Sequence, residues 1–115
     1  MVVHTWSTRE TDRAFRALAD ATRRDIVTRV LRDERSVSQL AAGYAMSFAA
    51  VQKHVAILER AGLVEKRRRG REQLVRGRPD ALRHVHHALD QLETLWRDRI
   101  DRIDSILDQG DAPCP

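Results

Sequence analysis

The chain has 115 residues and a mass of 13.2 kDa, enough for one compact domain and too little for two of ordinary size. Apolar residues make up 42% of it but only five residues are aromatic, so we expect a core of Leu, Val, Ile and Ala. The 21 basic residues comprise 19 Arg and 2 Lys, and the net charge is +4. This bias indicates a polyanionic partner, because guanidinium groups bind phosphate and carboxylate through paired hydrogen bonds.

Several classes of protein are excluded by what the sequence lacks. It contains no run of about 18 apolar residues and no signal peptide, so we expect a soluble, cytoplasmic protein with no membrane partner. The single cysteine, Cys114, can close no internal disulfide, and its acidic surroundings argue against a redox switch. Because there is no glycine-rich phosphate loop and no recognisable nucleophile, we expect neither an enzyme nor a cofactor.

The charge is distributed unevenly along the chain. Residues 1–52 carry eight basic and six acidic residues, residues 53–79 carry nine and three, and residues 80–115 carry four and eight. The modest net charge therefore conceals a strongly basic centre and an acidic end. We expect the polyanion to bind at the basic centre.

Two helices are predicted at the start of the chain. The Ser-x-x-Glu spacing that begins at Ser7 is typical of a capping box and predicts a helix over about 8–19. Thr22 is the expected cap of a second helix over about 22–33. We expect some arginines to form ordinary ion pairs with nearby acids and not to bind the polyanion: Arg23, Arg24, Arg60 and those of the last helix.

A helix-turn-helix is predicted next. Ser36 and Ser38 are both candidate caps for a short third helix that ends at Gly43. Ser47 caps a fourth helix that ends at Gly62, and its apolar positions share one face. Two short helices joined by a tight turn form this motif, and the inward positions of its second helix are Val51, Val55 and Leu58.

The pattern then changes from helical to extended. Residues 63–67 and 72–76 have the composition of short strands, and Gly70 lies between them where a hairpin loop needs it. Such a basic hairpin after a helix-turn-helix is called a wing.

A long last helix is predicted from Pro79, which suits the first helical position. Its apolar residues recur at intervals of three and four as far as Leu107, close to a coiled-coil seam. A domain of this size cannot bury so long a stripe by itself, so we infer a homodimer. The expected interface residues are Leu82, Val85, Leu89, Leu92, Trp96, Ile100 and Ile103.

Together these elements predict a mainly α fold with a minor β component: a winged helix-turn-helix with a two-stranded β-hairpin wing and a long C-terminal dimerisation helix. We expect one domain over residues 1–115. Within it, residues 8–78 form the DNA-binding core, residues 79–109 the dimerisation helix and residues 110–115 a flexible tail.

Double-stranded DNA is the expected polyanion, because the start of the second helix of a helix-turn-helix meets base edges in the major groove. Gln52 can bind adenine, Lys53 guanine or phosphate, and Ala49 a thymine methyl group. His54 could contact the DNA backbone or lie at the edge of the core. The candidate DNA-binding residues are Ser47, Phe48, Ala49, Gln52, Lys53 and His54 of the helix, and Lys66, Arg67, Arg68, Arg69 and Arg71 of the wing.

Two segments carry a family likeness. Residues 40–64 contain Met-Ser-Phe-Ala-Ala-Val shortly before Lys-His, and residues 15–26 read Phe-Arg-Ala-Leu-Ala-Asp-Ala-Thr-Arg-Arg-Asp-Ile. Over residues 12–80 the chain resembles the ArsR family of winged-helix transcriptional repressors. The resemblance implies a dimer that binds operator DNA near its own promoter and blocks transcription. Because two-fold symmetry relates the two recognition helices, we expect the operator to be an imperfect inverted repeat. It names no small-molecule effector.

Two alternatives remain open. Many ArsR-family members sense metals through Cys-x-Cys on the third helix, or through Asp-x-His and His-x-x-His/Glu on the last helix, and neither motif is present. Asp80, His84 and His87 nevertheless share a helix face and could bind zinc. The other alternative is a winged helix that binds only protein, against which the basic wing argues.

Overall fold

The computed structural model describes residues 6–110, which form five helices and a small three-stranded sheet. Cys114 and residues 111–115 of the expected tail lie outside this range. The elements, in chain order, are α1 (Thr8–Leu18), α2 (Ala21–Arg32), β1 (Arg35–Ser36), α3 (Val37–Ala42), α4 (Phe48–Arg60), β2 (Val64–Arg69), β3 (Glu72–Gly77) and α5 (Pro79–Gly110).

Side-chain caps set where the first helices begin. The Ser7 hydroxyl accepts the backbone N–H of Glu10 at 3.2 Å, as the capping-box spacing predicts. α2 begins one residue earlier than predicted, because Asp20 and not Thr22 is its N-cap. The Asp20 carboxylate accepts the backbone N–H of Arg23 at 3.0 Å, and this hydrogen bond holds the pKa of Asp20 below its usual value.

Of the two candidate caps for α3, Ser36 is the one used. Its hydroxyl accepts the backbone N–H of Gln39 at 3.0 Å, while the Gln39 side chain accepts the backbone N–H of Ser36 at 2.9 Å. This reciprocal pair satisfies two backbone donors at the start of a helix of only six residues. Gly43 follows the last residue of α3, as predicted.

Within residues 6–110 neither Arg23 nor Arg24 lies at ion-pair distance from an acid, although the charge of Arg23 helps to lower the pKa of Asp20. Arg23 donates to the backbone carbonyls of Ala17 at 2.7 Å and Arg16 at 3.1 Å, and Arg24 donates to that of Leu18 at 2.6 Å. These carbonyls lie at the C-terminal end of α1, where backbone acceptors have no partner within the helix and a positive charge is favourable. Both arginines therefore join the start of α2 to the end of α1.

The sheet has the order β1-β3-β2, and both pairings are antiparallel. The β2–β3 hairpin is the predicted wing, and Gly70 adopts a positive φ of 63° in its two-residue turn. β1 was not predicted: its two residues pair with Val75 and Leu74 of β3. A strand of two residues is too short to show the alternation by which strands are recognised.

The core lies where α2, α3, α4 and the sheet meet. Val51, Val55 and Leu58 are at most 1% exposed, which confirms the predicted inward face of the fourth helix. The other large side chains that are fully buried are aliphatic, as the composition predicts: Ile26, Leu40, Leu63, Val64 and Val75.

The chain divides into two compact units, one ending at Val85 and the other beginning at His86. In the first unit, Ala81 and Val85 of α5 belong to the core and Leu82 packs against it. In the second unit the large apolar side chains as far as Leu107 are exposed, with exposed fractions from 37% to 66%. No helix among residues 6–110 combines the length and the apolar composition needed to cross a bilayer.

Candidate nucleic-acid interface

The first part of the candidate interface is the exposed N-terminal face of α4. Ser47 caps the helix by accepting the backbone N–H of Ala50 at 3.1 Å. Val51 and Val55 point into the core, and Gln52 and Lys53 between them are exposed. Phe48 is 46% exposed despite its large apolar ring. The exposed residues, which we call the α4 face, are Ser47, Phe48, Ala49, Gln52 and Lys53.

A polar cluster holds the turn that precedes α4. The Tyr44 hydroxyl donates to Oδ2 of Asp25 at 2.6 Å, and Nε of Arg29 donates to the same oxygen at 2.9 Å. The Arg29 guanidinium carbon also lies 4.7 Å from the centroid of the Tyr44 ring. A side chain at Gly43 would displace this guanidinium, so glycine at this position favours the close approach. The cluster ties the helix-turn-helix to α2.

This cluster predicts a pH-dependent contribution to stability. The hydrogen bond from Tyr44, together with the charge of Arg29, holds the pKa of Asp25 below 3.8. Burial and the nearby Asp25 raise the pKa of Tyr44 to about 12, so the hydroxyl remains a donor at all lower pH values. A depressed folded-state pKa gives stability that is complete above the unfolded pKa and is lost as the pH falls through the folded one.

We therefore expect Tyr44→Phe to lower the free energy of unfolding at pH 7 by about 1 kcal/mol, because the lost bond is to a half-exposed carboxylate. The difference from wild type should shrink as the pH falls from 5 to 3. Urea denaturation of both proteins at pH 7, 5, 4 and 3 measures this. A difference that stays constant over that range would contradict the role of ionised Asp25.

His54 lies at the edge of the core and not on the α4 face. It is half-buried, and its Nδ1 is 3.4 Å from Nη1 of Arg23. Arg23 is itself bound to the end of α1, so His54 belongs to the contact between α4 and the first two helices. The sequence left open whether His54 contacts the DNA backbone or lies at the edge of the core, and its position fits the second role.

The wing is the second part of the candidate interface, and its five basic residues fall into two groups. Lys66 and Arg67, near the base of the hairpin, form ion pairs with Glu59 at 3.4 Å and Glu34 at 3.0 Å. The other three are exposed near the turn and form no ion pair within residues 6–110. We call these three the wing tip: Arg68, Arg69 and Arg71.

The α4 face and the wing border the same groove of about 220 Å³. Phe48 and Gln52 of α4 line it together with Arg71 and Gln73 of the wing, and the start of α3 closes one side. Residues far apart in sequence thus form one surface. Its side chains include an amide, a guanidinium and an aromatic ring, the groups with which proteins contact bases and phosphates, together with the carboxylate of Glu72.

Comparisons with known proteins agree with this geometry. A family model described as a helix-turn-helix domain matches residues 18–67. The HTH-type transcriptional regulator Rv2034 of Mycobacterium tuberculosis is 37% identical over 86 residues, which cover 75% of this chain and 80% of that protein. An ArsR-like transcriptional regulator from a Rhodococcus species superposes with a TM-score of 0.76 at 34% identity, over 85% of this chain and 92% of that one.

The chain belongs to the ArsR family of winged helix-turn-helix transcriptional regulators. A second similar structure is the solution structure of the homodimeric winged helix-turn-helix DNA-binding domain of Mb0332 from Mycobacterium bovis. It has a TM-score of 0.61 at 28% identity and covers 80% of this chain and 90% of that one. The ArsR resemblance and the winged fold with a hairpin wing and a long last helix are confirmed.

Two of the three candidate zinc ligands of this ArsR-family chain, Asp80 and His84, have other contacts. Asp80 pairs with Arg78 at 2.9 Å; burial alone would raise its pKa, but the hydrogen bond and charge of Arg78 lower it. The His84 ring stacks on Trp6 with centroids 4.8 Å apart. His87 is exposed. Within residues 6–110, no three histidine, cysteine or carboxylate side chains are grouped as a metal site requires.

Proposed function

We propose that this ArsR-family regulator is a sequence-specific repressor that binds an inverted-repeat operator as a homodimer and represses its own gene. The observation that carries the proposal is the groove shared by the α4 face and the wing. The basic wing beside that groove, with Arg71 in the groove lining, argues against a winged helix that binds only protein.

The α4 face has the residue types needed to discriminate bases. Gln52 can form two hydrogen bonds with the edge of adenine, and Lys53 can donate to guanine or to phosphate. Ala49 is small enough to meet a thymine methyl group, and exposed Phe48 offers a larger apolar contact beside it. The hydroxyl of Ser47 and the first backbone N–H groups of α4 favour a phosphate at the helix start.

The wing tip supplies contacts that do not depend on sequence. Three guanidinium groups close together repel one another, and a phosphate backbone relieves this repulsion. Lys66 and Arg67 are already neutralised by acidic partners, so we assign them a smaller share of the DNA contact. Wing and α4 face together would cover a major groove and the backbone next to it.

A homodimer is supported by the second unit of the chain. Leu89, Leu92, Trp96 and other large apolar side chains are exposed along α5, with Trp96 exposed by 58%. A continuous exposed apolar stripe on a soluble helix is typical of an interface between chains. The Mycobacterium bovis relative is described as homodimeric. We assign residues 8–78 to DNA binding and residues 79–109 to dimerisation, with Leu82 and Val85 packing chiefly within their own chain.

Two-fold symmetry of the dimer determines the form of the operator. Two symmetry-related α4 helices meet successive major grooves about 34 Å apart on one side of the duplex. The operator should therefore be an imperfect inverted repeat. The DNA immediately upstream of the gene is the place to look for it.

The test is to replace Gln52 or Lys53 with Ala and measure binding to the upstream DNA and to an unrelated duplex. Each variant should lose about tenfold or more in affinity for the upstream DNA, since one paired base contact contributes about 1–3 kcal/mol of discrimination. Affinity for unrelated DNA should change much less. Thr28→Ala, at an exposed position of α2, is the control and should bind like wild type. Equal losses on both DNAs would contradict base recognition by these residues.

A further inference from the structure

A second concave surface lies between α1 and the C-terminal end of α4, within the first compact unit. It is a cleft of about 500 Å³ whose rim carries four arginines. We call it the arginine trough and define it by Arg13, Arg16, Arg23 and Arg60 around a floor of Ala17, Ile57 and Ala61. Its position differs from that of the groove beside the wing, and the proposed DNA contacts do not use it.

The trough combines an apolar floor with a rim of four arginines. Ala17 and Ala61 are buried, and Ile57 remains 38% exposed above them. No acidic residue lines this cleft. Arg23 is bound to carbonyls of α1, but the ion pairs within residues 6–110 include none with Arg13, Arg16 or Arg60. The prediction that Arg60 forms an ion pair is therefore wrong.

A smaller cleft of about 350 Å³ adjoins the trough and shares Arg13, Arg60 and Ala61 with it. Its walls include Trp6, whose ring stacks on His84, and the Arg78–Asp80 ion pair. Both clefts fall within the range of about 300–1,000 Å³ that is usual for small-molecule sites. The shared arginines stand at the junction, and because Glu10 and Asp80 line the smaller cleft, the trough is the better site for an anionic group.

We propose that the arginine trough binds a small organic carboxylate with an apolar body, and that this ligand regulates DNA binding. The carboxylate pairs with Arg13 and Arg60, because guanidinium binds carboxylate through paired hydrogen bonds. The apolar body covers Ile57 and the alanine floor. An inorganic anion would meet the same charges but would leave the floor exposed.

The regulatory part of this proposal rests on the proposed DNA-binding function. Ile57, Arg60 and Ala61 belong to the end of α4, whereas the DNA contacts are at its start. From Gln52 to Arg60 the helix rises about 12 Å, so ligand and DNA do not compete for the same residues. A ligand held between α1 and α4 instead changes the position of α4 relative to α1. Coupling of this kind is reciprocal, so DNA must change the affinity for the ligand by the same factor.

Binding is tested first without DNA, by isothermal titration calorimetry of the full chain with octanoate and with benzoate. We expect saturable binding of at least one carboxylate and none of inorganic phosphate at the same concentration. The double variant Arg13→Gln, Arg60→Gln should bind about tenfold or more weakly. Arg9→Gln, at an exposed position of the same helix α1, is the matched control and should bind like wild type. No binding of either carboxylate up to about 10 mM, or an equal loss in the control, overturns the proposal.

The regulatory effect is tested by titrating the upstream DNA with and without the carboxylate that binds. We expect the DNA affinity to change about fivefold or more in wild type and to be unaffected in the double variant. Carboxylate binding without any effect on DNA affinity overturns the regulatory role, while failure of wild type to bind DNA overturns only the proposed function. If the double variant without carboxylate has lost DNA affinity, the trough contacts DNA; if it has become monomeric, the trough is an interface. Either result overturns the proposal.

Discussion

Replacing Leu92 and Trp96 together with Asp should give a folded monomer that binds the upstream DNA at least about 100-fold more weakly than wild type. Both side chains are already exposed in the single chain, by 62% and 58%, so the substitutions remove no contact from its core. Two carboxylates in an apolar interface between chains would lose their hydration without a partner. The monomer loses the gain of about 10²–10⁴ that comes from binding two half-sites at once.

Sedimentation equilibrium measures the oligomeric state, and titration of the upstream DNA measures affinity. The matched control is Thr94→Asp with Ser105→Asp, which adds the same charge to the same helix on the side away from the apolar stripe. The control should remain dimeric and bind DNA like wild type. If the Leu92/Trp96 variant stays dimeric, or if the control dissociates to the same extent, α5 is not the interface.

The sequence predicted those elements whose signals are local. Ser47 and Gly62 mark the ends of α4, Pro79 marks the start of α5, and the intervals of Val51, Val55 and Leu58 indicate the buried face of α4. Each of these depends on residues within a few positions of one another. The start of α2 was misplaced because Asp20 and Thr22 are both good caps, and only the backbone conformation shows that Asp20 takes the role.

Contacts between distant residues could not be predicted in the same way. Tyr44 and Asp25 are 19 positions apart, and Arg67 and Glu34 are 33 apart. No spacing rule connects such pairs, because their distance is set by the packing of the elements that carry them. The sequence therefore identified five basic residues in the wing. It could not show that acidic side chains neutralise two of them.

This division of the wing leads to a prediction about salt. We expect the triple variant Arg68→Gln, Arg69→Gln, Arg71→Gln to flatten the dependence of DNA affinity on salt. If each wing-tip arginine meets one phosphate, a dimer loses six contacts and the slope of log affinity against log salt becomes less negative by about 5. A wild-type dimer that makes about four to six phosphate contacts per protomer should have a slope of about −7 to −11.

The control for this test is a variant of Lys66 and Arg67, the two basic residues near the base of the wing. Lys66→Gln with Arg67→Gln removes two cations per chain that Glu59 and Glu34 already neutralise, so their release of counterions on DNA binding is small. We expect that variant to change the slope by about 1 or less. Affinities measured between 50 and 200 mM salt give all three slopes. An unchanged slope in the triple variant would exclude the wing tip from the DNA contact, and equal changes in both variants would show that the internal ion pairs open when DNA binds.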